Sequence, residues 1–180
     1  MATADRQHWD DRYRDAGPAE PVLPARFEPF LSPPDGIGTA LELACGFGQA
    51  SFWLAIQGVE TSAYDISPVA IAAATELADQ HGVAGRCSFA VADFDEGLPD
   101  TDQVDLILCN LFRDARLDQV VMDRLRPGGI LAVAALSEVG AAPGRFRVAP
   151  AELNTAFAAL DPVASDESGG VAWLVARKRS

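Results

Sequence analysis

Three acidic residues that follow apolar runs carry the most chemical information in this chain: Glu42, Asp65 and Asp93. Glu42 stands in Leu41-Glu42-Leu43-Ala44-Cys45-Gly46-Phe47-Gly48, where an apolar run gives way to a glycine turn. Helix-forming residues follow at once, from Gln49 to Gln57. A strand, a glycine turn and a helix in that order bring backbone against a nucleoside-bearing cofactor. Glycine permits the close approach because it has no Cβ to collide. Asp65 lies about 20 residues past the turn, the spacing from which a carboxylate accepts from both ribose hydroxyls. Asp93-Phe94 joins a carboxylate that accepts from an exocyclic amine to a ring that packs on a base face.

Such a crevice needs parallel strands whose carboxyl ends lie side by side. Strands are expected over residues 39–43, 59–64, 87–92, 104–109 and 130–136, with 39–43 and 104–109 as apolar runs. Helical patterns alternate with them over 5–15, 49–57, 68–81 and 117–125. Ser67-Pro68 supplies an N-cap and a proline at the first helical position, and Gly58 and Gly82 stop helices. Residues 137–150 read as a loop and 151–160 as a helix. Two last strands, 162–166 and 171–176, flank a hairpin turn at Ser168-Gly169-Gly170. The alternation implies an α/β fold: a mostly parallel sheet covered on both faces, with an antiparallel edge.

The 180 residues suit one domain. With 49% hydrophobic and 22% charged residues the chain is globular rather than disordered. Its 26 acidic residues outnumber 14 basic ones, for a net charge of -12, which repels phosphate backbones and anionic membranes. The expectation is therefore no nucleic acid and no membrane partner. No apolar run approaches the roughly 20 residues that span a bilayer, and the first residues are too polar for a signal peptide. Cys45, Cys87 and Cys109 form no C-x-x-C pair, so no disulfide or zinc framework is expected and a cytoplasmic location is the simplest. Clustered carboxylates are missing after the fourth and fifth strands, so no metal is expected.

Glu42-x-Ala44-x-Gly46-x-Gly48 resembles the acidic-x-Gly-x-Gly-x-Gly motif of Rossmann-like (class I) S-adenosylmethionine-dependent methyltransferases, with Ala44 where the first glycine is usual. The resemblance extends to Asp65-Ile66, to Asp93-Phe94 and to Leu125-Arg126-Pro127-Gly128-Gly129. The opening Trp9-Asp10-Asp11-Arg12-Tyr13 is similar to the N-terminal segment of small bacterial members, including tellurite-resistance and thiopurine methyltransferases. Membership implies a three-layer αβα sandwich whose seven-stranded sheet has the order 3-2-1-4-5-7-6, strand 7 antiparallel. It implies a single domain over 1–180, with 1–35 as a helical lid over the cofactor and 36–180 as the core. It implies S-adenosylmethionine as cofactor, S-adenosylhomocysteine as product, and a small-molecule methyl acceptor, the chain acting as monomer or homodimer.

By the same resemblance Glu42 lies near the methionine end or orders the turn. Backbone at Ala44, Cys45, Gly46 and Gly48 meets the methionine part, Asp65 holds the ribose, and Ile66, Asp93 and Phe94 hold the adenine. Trp9 and Tyr13 belong to the lid. Asn110, Leu111 and Phe112 border the methyl group and acceptor. Candidates for a base or an acceptor contact are His8, Asp10, Tyr13, Arg113 and Glu138, with none singled out. Each also has a plainer reading: a surface histidine for His8, a packed stripe for Trp9 and Tyr13, an ion pair for Arg113. Two rival functions stay open. Gly46-x-Gly48-x-x-Ser51 partly matches a dinucleotide fingerprint, although a carboxylate at Glu42 would repel a pyrophosphate. A donor-binding protein that does not catalyse is the other.

Overall fold

A computed structural model describes residues 2–17, 20–144 and 146–179, the side chains of 2–4 aside. Helix α1 (Ala2–Asp15) and the short α2 (Glu28–Leu31) precede β1 (Thr39–Leu43). Then follow α3 (Gln49–Ile56), β2 (Glu60–Asp65), α4 (Pro68–Gln80), β3 (Cys87–Val91), β4 (Val104–Asn110), α5 (Asp118–Arg124) and β5 (Leu125–Ser137). The last elements are β6 (Arg147–Val148), α6 (Glu152–Ala156), β7 (Asp161–Ser168) and β8 (Val171–Arg177).

Strands β3, β2, β1, β4 and β5 lie side by side and parallel. Strand β8 joins β5 antiparallel, and β7 joins β8 antiparallel. This is the expected order, 3-2-1-4-5-7-6, with one addition. The two-residue β6 pairs with Leu136 and Ser137 of β5, inside a segment read as loop. So short a strand has no alternation to detect. Arg147 pins it, donating from Nη1 to the carbonyls of Ser137 at 2.6 Å and Gly170 at 3.0 Å.

Apolar side chains leave the central strands in both directions, which is why those strands read as unbroken apolar runs. Leu41, Leu43, Ile107, Leu131 and Val133 point to the side covered by α5 and α6. Ala40, Leu106, Leu108, Ala132 and Ala134 point to the side covered by α3 and by Phe27 and Leu31. Helix α4 packs with α3 through Phe52, Ala55, Ala74 and Ala78. No helix among the described residues is long and apolar enough to cross a membrane.

Strand β5 begins five residues earlier than the sequence indicates. Val104 pairs with Leu125 and Leu106 with Ile130, so the register shifts across Pro127-Gly128-Gly129. The turn is a bulge within the strand rather than a boundary before it. A Cβ at Gly129 would lie 2.9 Å from the Arg126 carbonyl oxygen and 3.2 Å from that of Asp105. Both are main-chain atoms and cannot step aside as a side chain would. Gly129→Ala is therefore expected to lower unfolding free energy by ~2 kcal/mol in urea titration, with the urea dependence unchanged.

Candidate functional site

Past β1 the chain turns through Ala44, Cys45, Gly46, Phe47 and Gly48. Ala44, Gly46 and Gly48 have φ of +53°, +54° and +72°. The left-handed region costs an L residue ~1–2 kcal/mol, which gives a physical reason for glycine being usual where Ala44 stands. Gly46 and Gly48 also leave room for side chains of the chain itself. A Cβ at Gly46 would lie 2.8 Å from the Tyr13 hydroxyl, and one at Gly48 would lie 2.3 Å from the Phe89 ring.

Two buried carboxylates hold this turn. Helix α3 starts at Gly48, which has no side chain to cap it. The Ser51 N–H donates instead to Glu42 Oε2 at 3.0 Å, and the Ser51 hydroxyl donates to the same oxygen. Glu42 thus places its carboxyl at the α3 N-terminus, where the helix dipole favours its ionised form. At the end of β2, Asp65 accepts from the Gly46 N–H at 2.8 Å and the Ser67 N–H at 2.9 Å. Burial is the largest influence on Glu42 and pushes its carboxyl up to about 7; Ser51 pulls it down and the Asp65 charge pushes it up. Burial also raises Asp65, against its backbone hydrogen bonds.

Helix α1 lies over the turn. Asp10, buried, accepts from the Ser67 hydroxyl. Tyr13 packs edge-on against Phe47 with 4.9 Å between ring centroids, and Trp9 stacks on Tyr13 at 5.9 Å. Burial and then the Asp65 charge raise the Tyr13 phenol well above its ordinary value, so it stays protonated rather than acting as a base. His8 is exposed beside Trp9. Ile66 and Asp93 are half-buried, and Asp93 caps the following turn through the Asp95 N–H at 3.0 Å. Phe94, expected beside the adenine, is buried against Phe112, 5.4 Å between centroids.

Asn110 ends β4, and the exposed Leu111 follows with φ +62°. A leucine held in that region marks strain at the mouth of the crevice. Arg113 is paired with Asp118 and lies 3.3 Å from Glu152, so its charge is already matched. Glu138 is half-buried past β5. Cys45, Cys87 and Cys109 are free and buried, and burial pushes Cys87 and Cys109 up to about 12 and Cys45 up as well; they fill space as thiols. Two contacts went undetected in the sequence. Asp10 meets Ser67, and Arg26 donates from Nη1 to Asn110 Oδ1 at 2.6 Å across 84 positions. No local pattern links such distant residues.

A family model described as "Methyltransferase domain" matches residues 36–167. The chain belongs to that methyltransferase family. Ribosomal RNA small subunit methyltransferase C of Alcanivorax borkumensis is 30% identical over 112 residues, which are 57% of this chain and 33% of that protein. The chain spans about a third of the length of this curated relative. Among solved structures, TehB from Haemophilus influenzae superposes with a TM-score of 0.78 at 17% identity, covering 97% of this chain and 67% of that one. The glycopeptide N-methyltransferase MtfA, solved with S-adenosylmethionine, gives 0.66 at 17% identity, covering 86% and 93%. Family and fold therefore match the class I resemblance read from the motifs.

The methyltransferase crevice has a donor set that fits a cationic, phosphate-free nucleoside. Glu42, Asp65 and Asp10 converge at the turn, and none is ion-paired among the described residues. A sulfonium and an ammonium suit that field, whereas a pyrophosphate does not.

The raised Glu42 pKa makes a prediction with a definite sign. Folded Glu42 keeps its proton up to about 7, while unfolded Glu42 releases it near 4.5. Its contribution to stability is full below pH 4.5 and disappears as pH rises through 7. Urea unfolding from pH 4 to 8 is expected to show the wild type losing up to ~3 kcal/mol relative to Glu42→Gln over this window. Parallel pH profiles for the two proteins would refute the assignment.

Proposed function

We propose that the chain binds S-adenosylmethionine beyond the ends of β1, β2 and β4 and transfers its methyl group to a small molecule. The observation that carries this reading is Glu42 at the α3 N-terminus. In dinucleotide-binding folds that helix end receives a pyrophosphate. Here a carboxylate already takes the N–H, which argues against a nicotinamide dehydrogenase and for a donor with no phosphate.

In this reading backbone at Ala44, Cys45 and Gly46 holds the methionine part. Asp65 accepts from the ribose, and Ile66, Asp93 and Phe94 border the adenine. Asn110 and Leu111 border the methyl group, and Trp9 and Tyr13 cover the site. The bound donor supplies an electrophilic methyl on a positively charged sulfur. The chain's part is to align the acceptor and exclude water, and alignment alone can lower a barrier by about 7–11 kcal/mol. Tyr13 is held as a neutral phenol and Glu42 is occupied by Ser51, so neither serves readily as a base. That favours an acceptor needing no deprotonation, such as an amine or a thiolate.

A small acceptor fits the net charge of -12, which opposes a phosphate backbone. The relative named for ribosomal RNA supports the contrary reading, an RNA acceptor, and methyl transfer assayed on RNA and on small amines and thiols separates the two.

Calorimetry tests the donor assignment. S-adenosylhomocysteine is expected to bind the wild type while NADH does not, and Asp65→Asn is expected to weaken binding ~tenfold through loss of a charge-assisted acceptor. Binding of NADH alone, or unchanged affinity in the variant, would contradict it.

A further inference from the structure

Arg26 is a half-buried cation at the end of β4, and its charge is left unmatched. It reaches the crevice from the proline-rich segment between α1 and α2, with Nη1 2.6 Å from Asn110 Oδ1. Among the described residues that is its hydrogen bond, and no carboxylate lies within 4.0 Å of it. Arg147, also half-buried and without a carboxylate, donates to two backbone carbonyls, and half of the described arginines pair with a carboxylate. Arg14, Arg113, Arg116, Arg124, Arg126 and Arg179 all do so. A partly desolvated guanidinium without a counter-charge is costly unless something anionic meets it.

The partner that holds Arg26 is informative. A neutral amide oxygen fixes the position of the guanidinium without cancelling its charge. A guanidinium carries five N–H donors in a planar fork that matches a carboxylate bidentately, and Asn110 engages one nitrogen. Beside it, Leu111 is exposed and strained at φ +62°, an apolar flank next to a charged point. The carboxyl groups of Glu42, Asp65 and Asp10, buried near the turn after β1, offer an anion nothing to pair with.

We infer that Arg26, oriented by Asn110, is a specificity residue that binds a carboxylate on the methyl acceptor, an inference that rests on the methyl-transfer reading above. The acceptor class is a small organic acid with an apolar body, its anionic end on Arg26 and its nucleophilic atom toward the donor. Arg26 sits with Asn110 on the acceptor side, whereas the donor's methionine part is assigned to the turn after β1. The donor's own carboxylate is the other source of the same chemistry, and the experiment separates the two.

The probes are benzoate and its neutral analogue benzamide, titrated by NMR into the full chain saturated with S-adenosylhomocysteine. The wild type is expected to bind benzoate ~tenfold more tightly than benzamide, and Arg26→Met to bring the ratio to about one. Arg26→Lys, which keeps the charge and loses the fork, is expected to retain a ratio of roughly three and shows that the effect is electrostatic rather than a folding defect. S-adenosylhomocysteine affinity should change less than about threefold in both variants. No benzoate preference in the wild type, or an undiminished preference in Arg26→Met, overturns the inference. So does an Arg26→Met protein that loses S-adenosylhomocysteine but binds 5′-methylthioadenosine normally, since that assigns Arg26 to the donor's carboxylate. A wild type that fails to bind S-adenosylhomocysteine overturns the donor reading itself, a distinct result, and the inference with it.

Discussion

The crevice depends on one buried contact, the acceptance by Glu42 of the Ser51 N–H and hydroxyl. It joins the end of β1 to the first turn of α3 and spans the turn between them. Without it the Ser51 N–H would be an unsatisfied donor inside the protein, because Gly48 offers no side-chain cap. Glycine at that position is required by its φ of +72° and by the Phe89 ring above it. The helix therefore cannot be capped locally, and the cap comes from the preceding strand. Asp65 repeats the device from β2, tying Gly46 to Ser67 and so linking the two strand ends.

This arrangement has an electrostatic consequence. Placing two acids and the Asp10 carboxylate in one buried region raises the protonation tendency of Glu42 and Asp65. A cation bound near them would favour their ionised forms, so the chain is most receptive to a ligand that carries positive charge. The same acids close the helix terminus to phosphate. Selection of donor type thus follows from the way the turn is held together.

Much of the fold was legible because burial on both faces leaves apolar runs in β1, β4 and β5, while β2 and the mostly exposed β3 stand between helix stops and acidic residues; four of the five parallel strands match their expected bounds closely. Glu42, Asp65 and Asp93 were legible for a related reason: each lies at or near a strand end, where the sheet stops needing apolar side chains. What escaped notice was set by three-dimensional proximity. Nothing in the sequence says that Glu42 caps a helix nine residues on, that Gly46 makes room for Tyr13, or that Arg26 meets Asn110. A motif gives the identity of Phe94 and not its packing, and the core takes most of its surface. The bulge at Pro127-Gly128-Gly129 was read as a turn since both use the same residues. Ala44 stood out as a departure from the motif, and the structure supplies its meaning as an L residue in a left-handed position.

In the proposed reading Glu42 stays part of the turn, and the donor binds beside it rather than on the α3 N-terminus. A crystal structure of the chain grown with S-adenosylhomocysteine tests this most directly. Ligand density is expected beside Gly46, Asp65 and Asp93, with Glu42 still accepting from Ser51. Density elsewhere, or a ligand seated on the Ser51 N–H with Glu42 displaced, would contradict it.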